Sequence, residues 1–359
     1  MQTVRVELAE RSYDVRIATG NLSETGPFLT SLGDASHAVI ITDTNVQEPH
    51  ATGVAESLVG EGLSVDLIAV EPGEPTKSIE MAAGLWEGLL DAGTDRRSVV
   101  VAVGGGVVGD LAGFVAATYG RGIRFLQVPT TLLAQVDSSV GGKVGINLPK
   151  AKNMVGAFLQ PLGVLIDTAT LDTLPRREYL AGLGEVIKYG VILDAELFGL
   201  LEANVPAILA QQHELLVEVI ARCCRLKADV VCRDEREETG LRSMLNYGHT
   251  FGHAFETLCG YGEILHGEAV LIGMVCAARL AARLNRVDDA FVKRQHYLLT
   301  ELGLPLTPPA LDPDRVIEAM KHDKKVAHGR WRFVLPTRLG HVELVDGIEE
   351  ADVRAALEE

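Results

Sequence analysis

The chain has 359 residues, 47% of them apolar and 23% charged, with a formal net charge of −16. That length favours two domains, and the apolar fraction suffices to fill both cores. The acidic balance argues against nucleic acid or an anionic membrane as the main partner, although local basic residues can line a pocket for a small anion. No apolar run approaches the ~20 residues that span a bilayer, and no secretory pattern opens the chain. The five cysteines, Cys223, Cys224, Cys232, Cys259 and Cys276, show neither CxxC nor zinc-ribbon spacing. Reduced, mostly buried thiols in a soluble cytoplasmic protein are expected.

The first half alternates strand and helix signals. Val4–Leu8 and Tyr13–Ile17 pattern as a hairpin. Ala38–Ile41 is a short apolar strand that ends at Thr42-Asp43-Thr44-Asn45, a helix-start signal. Leu63–Val70 is the next strand, followed by the loop Glu71-Pro-Gly-Glu-Pro-Thr-Lys77 and an amphipathic helix over Ser78–Leu90. Ser98–Val103 is a buried strand running straight into Gly104, Gly105, Gly106 and Gly109. Ile123–Val128 ends at Pro129-Thr130-Thr131, and Val164–Ile166 ends at Asp167. Such alternation predicts a parallel sheet covered by helices, with ligands at the carboxyl ends of its strands.

From about Thr170 helical periodicity takes over. Glu178–Tyr189, Ala195–Leu209, Glu214–Arg233, Arg242–Cys259, Gly267–Leu284 and Ala290–Leu302 all pattern as helices. Trp331–Leu335 and His341–Leu344 form a closing hairpin, with a terminal helix at Glu349–Leu357. The expected division is therefore an α/β domain over 1–169 and a mainly α-helical domain over 170–359, packed about a cleft.

Four local constellations can carry chemistry. Gly104-Gly-Gly-Val-Val-Gly109-Asp110 satisfies GxGxxG between a strand and a helix, where bare backbone can approach a pyrophosphate. No acid follows at the usual distance to hold a ribose, but Asp43 and Glu74 end earlier strands and can serve. The alternative is a purely structural tight turn. The run from Pro129 to Asn147 gathers hydroxyls, Asp137, paired glycines and Lys143, with Lys152 and Asn153 beyond, as either a binding loop or a long surface loop. Gly184-Glu185-Val-Ile-Lys188 places an acid and a lysine on one helix face; an exposed salt bridge is the plain reading, and the flanking apolar residues favour burial. Last, His249 and His253 lie one helical turn apart, and His266 opens His266-Gly-Glu268. Two histidines and a carboxylate make a catalytic zinc set with an open position, and Glu185 is the best carboxylate. Spacing alone does not choose two of the three histidines, and the helical pair is the naive choice. Lysine is scarce, ten residues against 23 arginines, so the lysines retained in these motifs are either places where a compact ammonium is required or chance survivors of codon bias.

Taken in order, GEPTK ending at Lys77, GGGVVGDLAGFVA, Arg121-Gly-Ile-Arg-Phe, QVPTTLLAQVDSSVGGK, Gly184-Glu-Val-Ile-Lys188, LNYGHTFGHAFE and HGEAV resemble the 3-dehydroquinate synthase family of sugar phosphate cyclases. The resemblance runs from Thr42 to Lys325. It implies an N-terminal nucleotide-binding domain, a C-terminal metal and substrate domain, NAD, one divalent metal (Zn2+ or Co2+) and a homodimer. It implies Glu185, His249 and His266 as metal ligands, which releases His253 for substrate. NAD would be held by Asp43, Glu74, Lys77, Gly105, Gly106, Val107, Asp110, Thr130, Thr131, Asp137, Lys143, Lys152 and the segment Thr170-Leu171-Asp172-Thr173. Arg242 and Lys227 would pair with a substrate carboxylate, and Lys188 would meet a hydroxyl. Lys143, Asn153, Asn246, His253 and Lys324 or Lys325 would surround a phosphate, with Arg121 reaching it from the partner subunit and Asp137 also catalytic. The implied reaction converts 3-deoxy-D-arabino-heptulosonate 7-phosphate to 3-dehydroquinate and phosphate, in the shikimate pathway to chorismate and aromatic amino acids. Its steps are transient oxidation, phosphate elimination, re-reduction, ring opening and intramolecular aldol closure. A cyclase for another sugar phosphate and a metal-dependent polyol dehydrogenase are the rival readings.

Overall fold

The computed structural model describes residues 1–149, 151–260, 263–304, 306–322 and 331–358. The chain folds as two compact units, Met1–Pro175 with His213–Arg236, and Arg176–Gln212 with Glu237–Glu359.

In the first unit the strands are β1 (Gln2–Val6), β2 (Tyr13–Ala18), β3 (His37–Asp43), β4 (Ser64–Val70), β5 (Ser98–Gly104), β6 (Arg124–Pro129), β7 (Lys143–Leu148), β8 (Ala151–Phe158) and β9 (Gly163–Asp167). Seven of them form one sheet in the order β1-β2-β9-β6-β5-β3-β4. All pairings in it are parallel except the β1–β2 hairpin at the edge. The helices between the strands are α1 (Thr25–Ser31), α2 (Thr52–Gly60), α3 (Ile79–Asp91) and α4 (Gly106–Thr118). Strand residues alternate between two cores. Ala38, Ile40, Val99, Val101 and Val103 pack with α1 and α2, whereas Val39, Ile41, Val100 and Ala102 pack with α3 and α4. Both faces are thus covered, which is why these strands read as continuous apolar runs. Ser78 caps α3, its hydroxyl accepting from Met81 N–H at 3.1 Å.

From β3 the chain moves outward to β4, then returns across β3 to β5 and continues to β6 and β9. The winding direction therefore reverses between β3 and β5, where open α/β sheets bind ligands. The run after Pro129, read from sequence as a loop, is instead a tight π-helical turn at Ala134–Ser138 followed by the antiparallel hairpin β7–β8. Val144 and Ile146 anchor that hairpin in the core under α4.

The chain continues through α5 (Arg176–Ile192), α6 (Ala195–Ala203) and α7 (Val205–Leu209) in the second unit. Asn204 and Pro206 split what periodicity suggests is one helix over 195–209. Then α8 (His213–Arg233) belongs to the first unit, although it follows residue 170. Its buried stripe includes Leu216, Val219, Ile220, Cys223, Cys224 and Val231, and it packs on β1, β2 and the 134–138 turn. The second unit resumes with α9 (His249–Cys259), α10 (His266–Arg283), α11 (Asp289–Glu301), α12 (Pro313–His322), the hairpin β10 (Trp331–Arg338) and β11 (His341–Ile348), and α13 (Glu350–Glu358). The helix expected over 242–259 is interrupted. A 3-10 turn spans Leu241–Asn246, Tyr247 leaves helical geometry, and Gly248 takes φ +79° before α9 begins. Buried Tyr247 holds the break, donating to Met274 O at 3.2 Å and pairing with Gln295 Oε1 at 2.9 Å. Among the described residues no helix is long and apolar enough to cross a membrane.

Candidate active site

In the first unit, the residues expected to hold a cofactor follow the carboxyl ends of neighbouring parallel strands. Asp43 ends β3, Glu74 and Lys77 follow β4, Gly105 to Val107 follow β5, Thr130 and Thr131 follow β6, and Thr170 to Thr173 follow β9. A Cβ on Gly105 would lie 2.9 Å from the Thr131 methyl, and one on Gly106 would lie 3.1 Å from the Ser138 hydroxyl. The glycine run therefore does have the structural role of a close turn. It also leaves the first turn of α4 without a side-chain cap, so no side chain competes with an anion for its leading amides.

Beside that turn, Lys77 is 3% exposed and organises a polar cluster. Its ammonium donates to Asp110 Oδ2 at 2.7 Å and Asn153 Oδ1 at 2.6 Å, and lies 3.6 Å from Glu74 Oε1. Asn147 donates to the same Glu74 oxygen at 2.8 Å, with Lys152 at 3.9 Å. Burial pushes the Asp110 carboxyl above its ordinary range, and the Lys77 charge opposes that rise only in part. Burial likewise raises Asp43, against hydrogen bonds from the Asn45 and Val46 amides. Asn153 adopts φ +53° within β8, a conformation asparagine tolerates better than most residues. Its carboxamide is thereby joined to the cofactor cluster through Lys77, where the resemblance implies a phosphate contact. Lys143 is exposed at the start of β7, and Arg121 is exposed at φ +70° in the turn after α4.

Lys227, on α8, donates to the Asp137 carbonyl at 2.6 Å and to its Oδ1 at 2.7 Å. The structure so joins two residues that sequence reasoning placed separately. It also reveals two unforeseen supports. Gln135, fully buried, donates to Pro129 O, Asp167 O and Thr170 Oγ1 at 3.1–3.2 Å, linking the ends of β6 and β9. His50 Nε2 lies 2.7 Å from Thr173 Oγ1, while exposed Asp172 pairs with His213 at 3.3 Å. Leu171, preceding them in the same turn, is buried. Nothing in local spacing distinguishes Gln135 or His50 from ordinary polar residues.

In the second unit, Glu185 and Lys188 lie mid-helix on α5, which is buried along nearly its whole length. Glu185 is 0% exposed. Neither carboxylate oxygen makes a hydrogen bond of normal geometry; Lys188 faces one in an ion pair, and His249 Nε2 lies 3.6 Å from the other. So deeply buried an anion demands positive charge around it. His249 and His266 are the first residues of α9 and α10, and with Glu185 they place three ligand atoms within 4.8 Å of one another. Each of the three sits next to a glycine at a backbone crossing. A Cβ on Gly184 would meet Gly267 O at 2.9 Å, one on Gly267 would meet Ala181 O at 2.0 Å, and one on Gly248 would meet Val270 O at 2.7 Å. Close packing of α5, α9 and α10 thus assembles the donor set.

The ring orientations suit a cation. His249 Nδ1 pairs with Tyr247 O at 3.1 Å and His266 Nδ1 with Glu256 Oε2 at 3.0 Å, leaving Nε2 of each as the ligand atom. A buried carboxylate and two such imidazoles form a donor set for zinc or a similar ion with an open position. His253 lies in the same cluster, its ring 5.5 Å from that of His249 and 6.1 Å from that of His266. With Glu256 and His266 it forms a second three-donor group. Glu256 carried no role in the sequence reading, yet it lies seven residues after His249 and three after His253, on their helix face. Glu268, close to the histidines in sequence, instead pairs with Arg177 at 2.7 Å and accepts from Leu265 N–H at 2.9 Å. Arg242 is 5% exposed, with Glu237 at 3.6 Å, and Asn246 is half-buried at the end of the same 3-10 turn. Lys324 and Lys325 lie outside the described residues.

Family models described as 3-dehydroquinate synthase N-terminal and 3-dehydroquinate synthase C-terminal match residues 67–181 and 182–326. A 3-dehydroquinate synthase of Rhodopirellula baltica is 49% identical over 364 positions, covering 99% of this chain and 97% of that protein. A solved 2-deoxy-scyllo-inosose synthase, complexed with carbaglucose-6-phosphate, NAD+ and Co2+, is similar at a TM-score of 0.90 and 28% identity, covering 99% of both chains. The 2-epi-5-epi-valiolone synthase of Streptomyces hygroscopicus subsp. jinggangensis, with NAD+ and Zn2+ bound, is similar at 0.89 and 29%, covering 98% of this chain and 97% of that one. The chain belongs to the 3-dehydroquinate synthase family.

Proposed function

We propose that this protein is a phosphate-eliminating carbon–oxygen lyase that converts 3-deoxy-D-arabino-heptulosonate 7-phosphate to 3-dehydroquinate and phosphate. The observation that carries the reading is the convergence of buried Glu185 with His249 and His266, in a chain of this family. Those three would hold a divalent cation, zinc or cobalt. The first turn of α4, with Asp43, Glu74, Lys77, Asp110, Thr130, Thr131, Lys152 and the 170–173 turn, would hold NAD. When bound, NAD supplies reversible hydride exchange and the cation supplies Lewis-acid polarisation of substrate hydroxyls.

The residues of the chain then bind and orient. Lys188, 1% exposed and paired with Glu185, offers an ammonium to a substrate hydroxyl. Arg242 and Lys227 are the proposed partners of the substrate carboxylate, with Lys227 directed by Asp137. Transient oxidation to a ketone acidifies the adjacent carbon, so phosphate can depart by elimination. His253, Asn246, Asn153, Lys143, Arg121 of the partner subunit and Lys325 are the proposed surroundings of that phosphate. They supply positive charge and hydrogen bonds to a leaving anion, and no group among them is an obvious dedicated base, so the departing phosphate takes the proton itself. Re-reduction, ring opening and intramolecular aldol addition complete the turnover, with the cofactor regenerated. A cytoplasmic homodimer is the working form we propose.

The deciding measurement is phosphate release from the heptulosonate phosphate by protein supplied with NAD and zinc. Release should require NAD, stop on adding chelator and return with Zn2+ or Co2+, with no net NADH. Release from a non-carboxylated sugar phosphate instead would assign another cyclase. Stoichiometric NADH without phosphate would assign a dehydrogenase.

A further inference from the structure

The two metal-directed histidines differ in what holds them. His249 is oriented by a neutral backbone carbonyl, Tyr247 O, at 3.1 Å from its Nδ1. His266 is oriented by a carboxylate, Glu256 Oε2, at 3.0 Å, and that carboxylate is itself 5% exposed. A buried acid costs free energy unless its charge is used. An anionic partner on Nδ1 fixes the tautomer, locks the ring plane and makes Nε2 a stronger donor than a carbonyl partner does.

The placement of Glu256 suits that task. It lies seven residues after His249 on α9, one face and two turns along, and reaches across to the first residue of α10. At that crossing Gly252 has no Cβ; one there would lie 3.0 Å from Ala269 O, so α9 and α10 can approach closely enough for a short carboxylate to bridge them. We infer that Glu256 is a positioning residue for the cation site, acting through the His266 ring and not as a ligand. This rests on the metal reading above. The competing arrangement is the group His253, Glu256 and His266, in which Glu256 would touch the ion itself.

The test is cation affinity, read by competition with a chromogenic chelator and by the visible absorption of the Co2+-loaded protein. Glu256→Ala should raise the dissociation constant about 10- to 100-fold. Glu256→Gln should recover part of that loss, because its amide oxygen still accepts from Nδ1–H. Once saturated, both variants should give one Co2+ per chain and a tetrahedral-type spectrum like that of the parent. Affinity within twofold of the parent in Glu256→Ala would overturn the inference. So would a changed Co2+ spectrum at saturation, which would make Glu256 a ligand. Glu185→Ala is the control. If that variant also keeps its cation, the metal reading itself fails, whatever Glu256 does.

Discussion

At the scale of single residues, identical side chains acquire different work from their surroundings. His249 begins α9 with Nε2 turned towards Glu185, whereas His253, one turn on, is outside that donor set and shares a second group with Glu256 and His266. His249→Ala is therefore expected to lose both bound metal and turnover. His253→Ala should keep its metal while kcat falls about 10²- to 10³-fold, the usual contribution of one positioned donor to a developing negative charge. Metal content after dialysis, measured beside phosphate release, separates the two. Loss of metal from His253→Ala would reverse the assignment. The residue types were legible in sequence, and so were the rival pairs. Spacing did not choose between the pairs, because a helical period states which face a side chain occupies and not what stands opposite; only the family resemblance favoured His249 with His266.

At the scale of elements, glycines set how near the helices come. Gly267 is the sharpest case, since a Cβ there would fall 2.0 Å from Ala181 O. Gly267→Ala must push α10 away from α5, at a cost of roughly 1–3 kcal/mol as in other overpacked cores. Because His266 is the adjacent residue, the same change should weaken cation binding. Gly53→Ala, in α2 with open space around its Cβ, is the matched control and should be neutral or slightly stabilising. Urea midpoints and a cation titration on both variants check this; equal effects would remove the close-approach explanation. Strands and most helices follow the apolar periods closely. The departures sit where tertiary contacts override them, at the Tyr247–Gly248 break, at the Asn204 break, and in the 134–158 region, where a π-helical turn and a hairpin replace the expected loop.

At the scale of the whole molecule, stability should depend on pH through carboxylates with opposite tendencies. Burial pushes Glu268 up, but hydrogen bonds from Arg177 and from Leu265 N–H outweigh it and hold the acid below its ordinary value. A depressed folded value means the contribution is present above about pH 4.5 and lost as pH falls through the lower folded value. Asp110 runs the other way. Its raised value makes ionisation cost stability as pH climbs from about 3.8 through the folded value. Glu268→Gln should thus cost about 1 kcal/mol at pH 7, given that Arg177 is largely exposed. The difference from the parent should narrow as pH falls below about 4.5. Denaturant melts of both proteins at pH 3.5, 5 and 7 test it, and a constant gap across that range would refute the coupling.

The sequence by itself determined the alternation that builds the parallel sheet, the turn residues at the strand ends, the donor types of the metal cluster and the family. These are local matters, written in periods of two and 3.6 and in short ordered motifs. Only the tertiary structure decided that α8 joins the first unit, that Lys227 rests on Asp137, that Gln135 ties two strand ends, and that Glu256 supports His266. Each of those depends on which distant segments come within a few ångströms. That is settled by the packing of helix faces and by glycines at their crossings, and no local spacing records it.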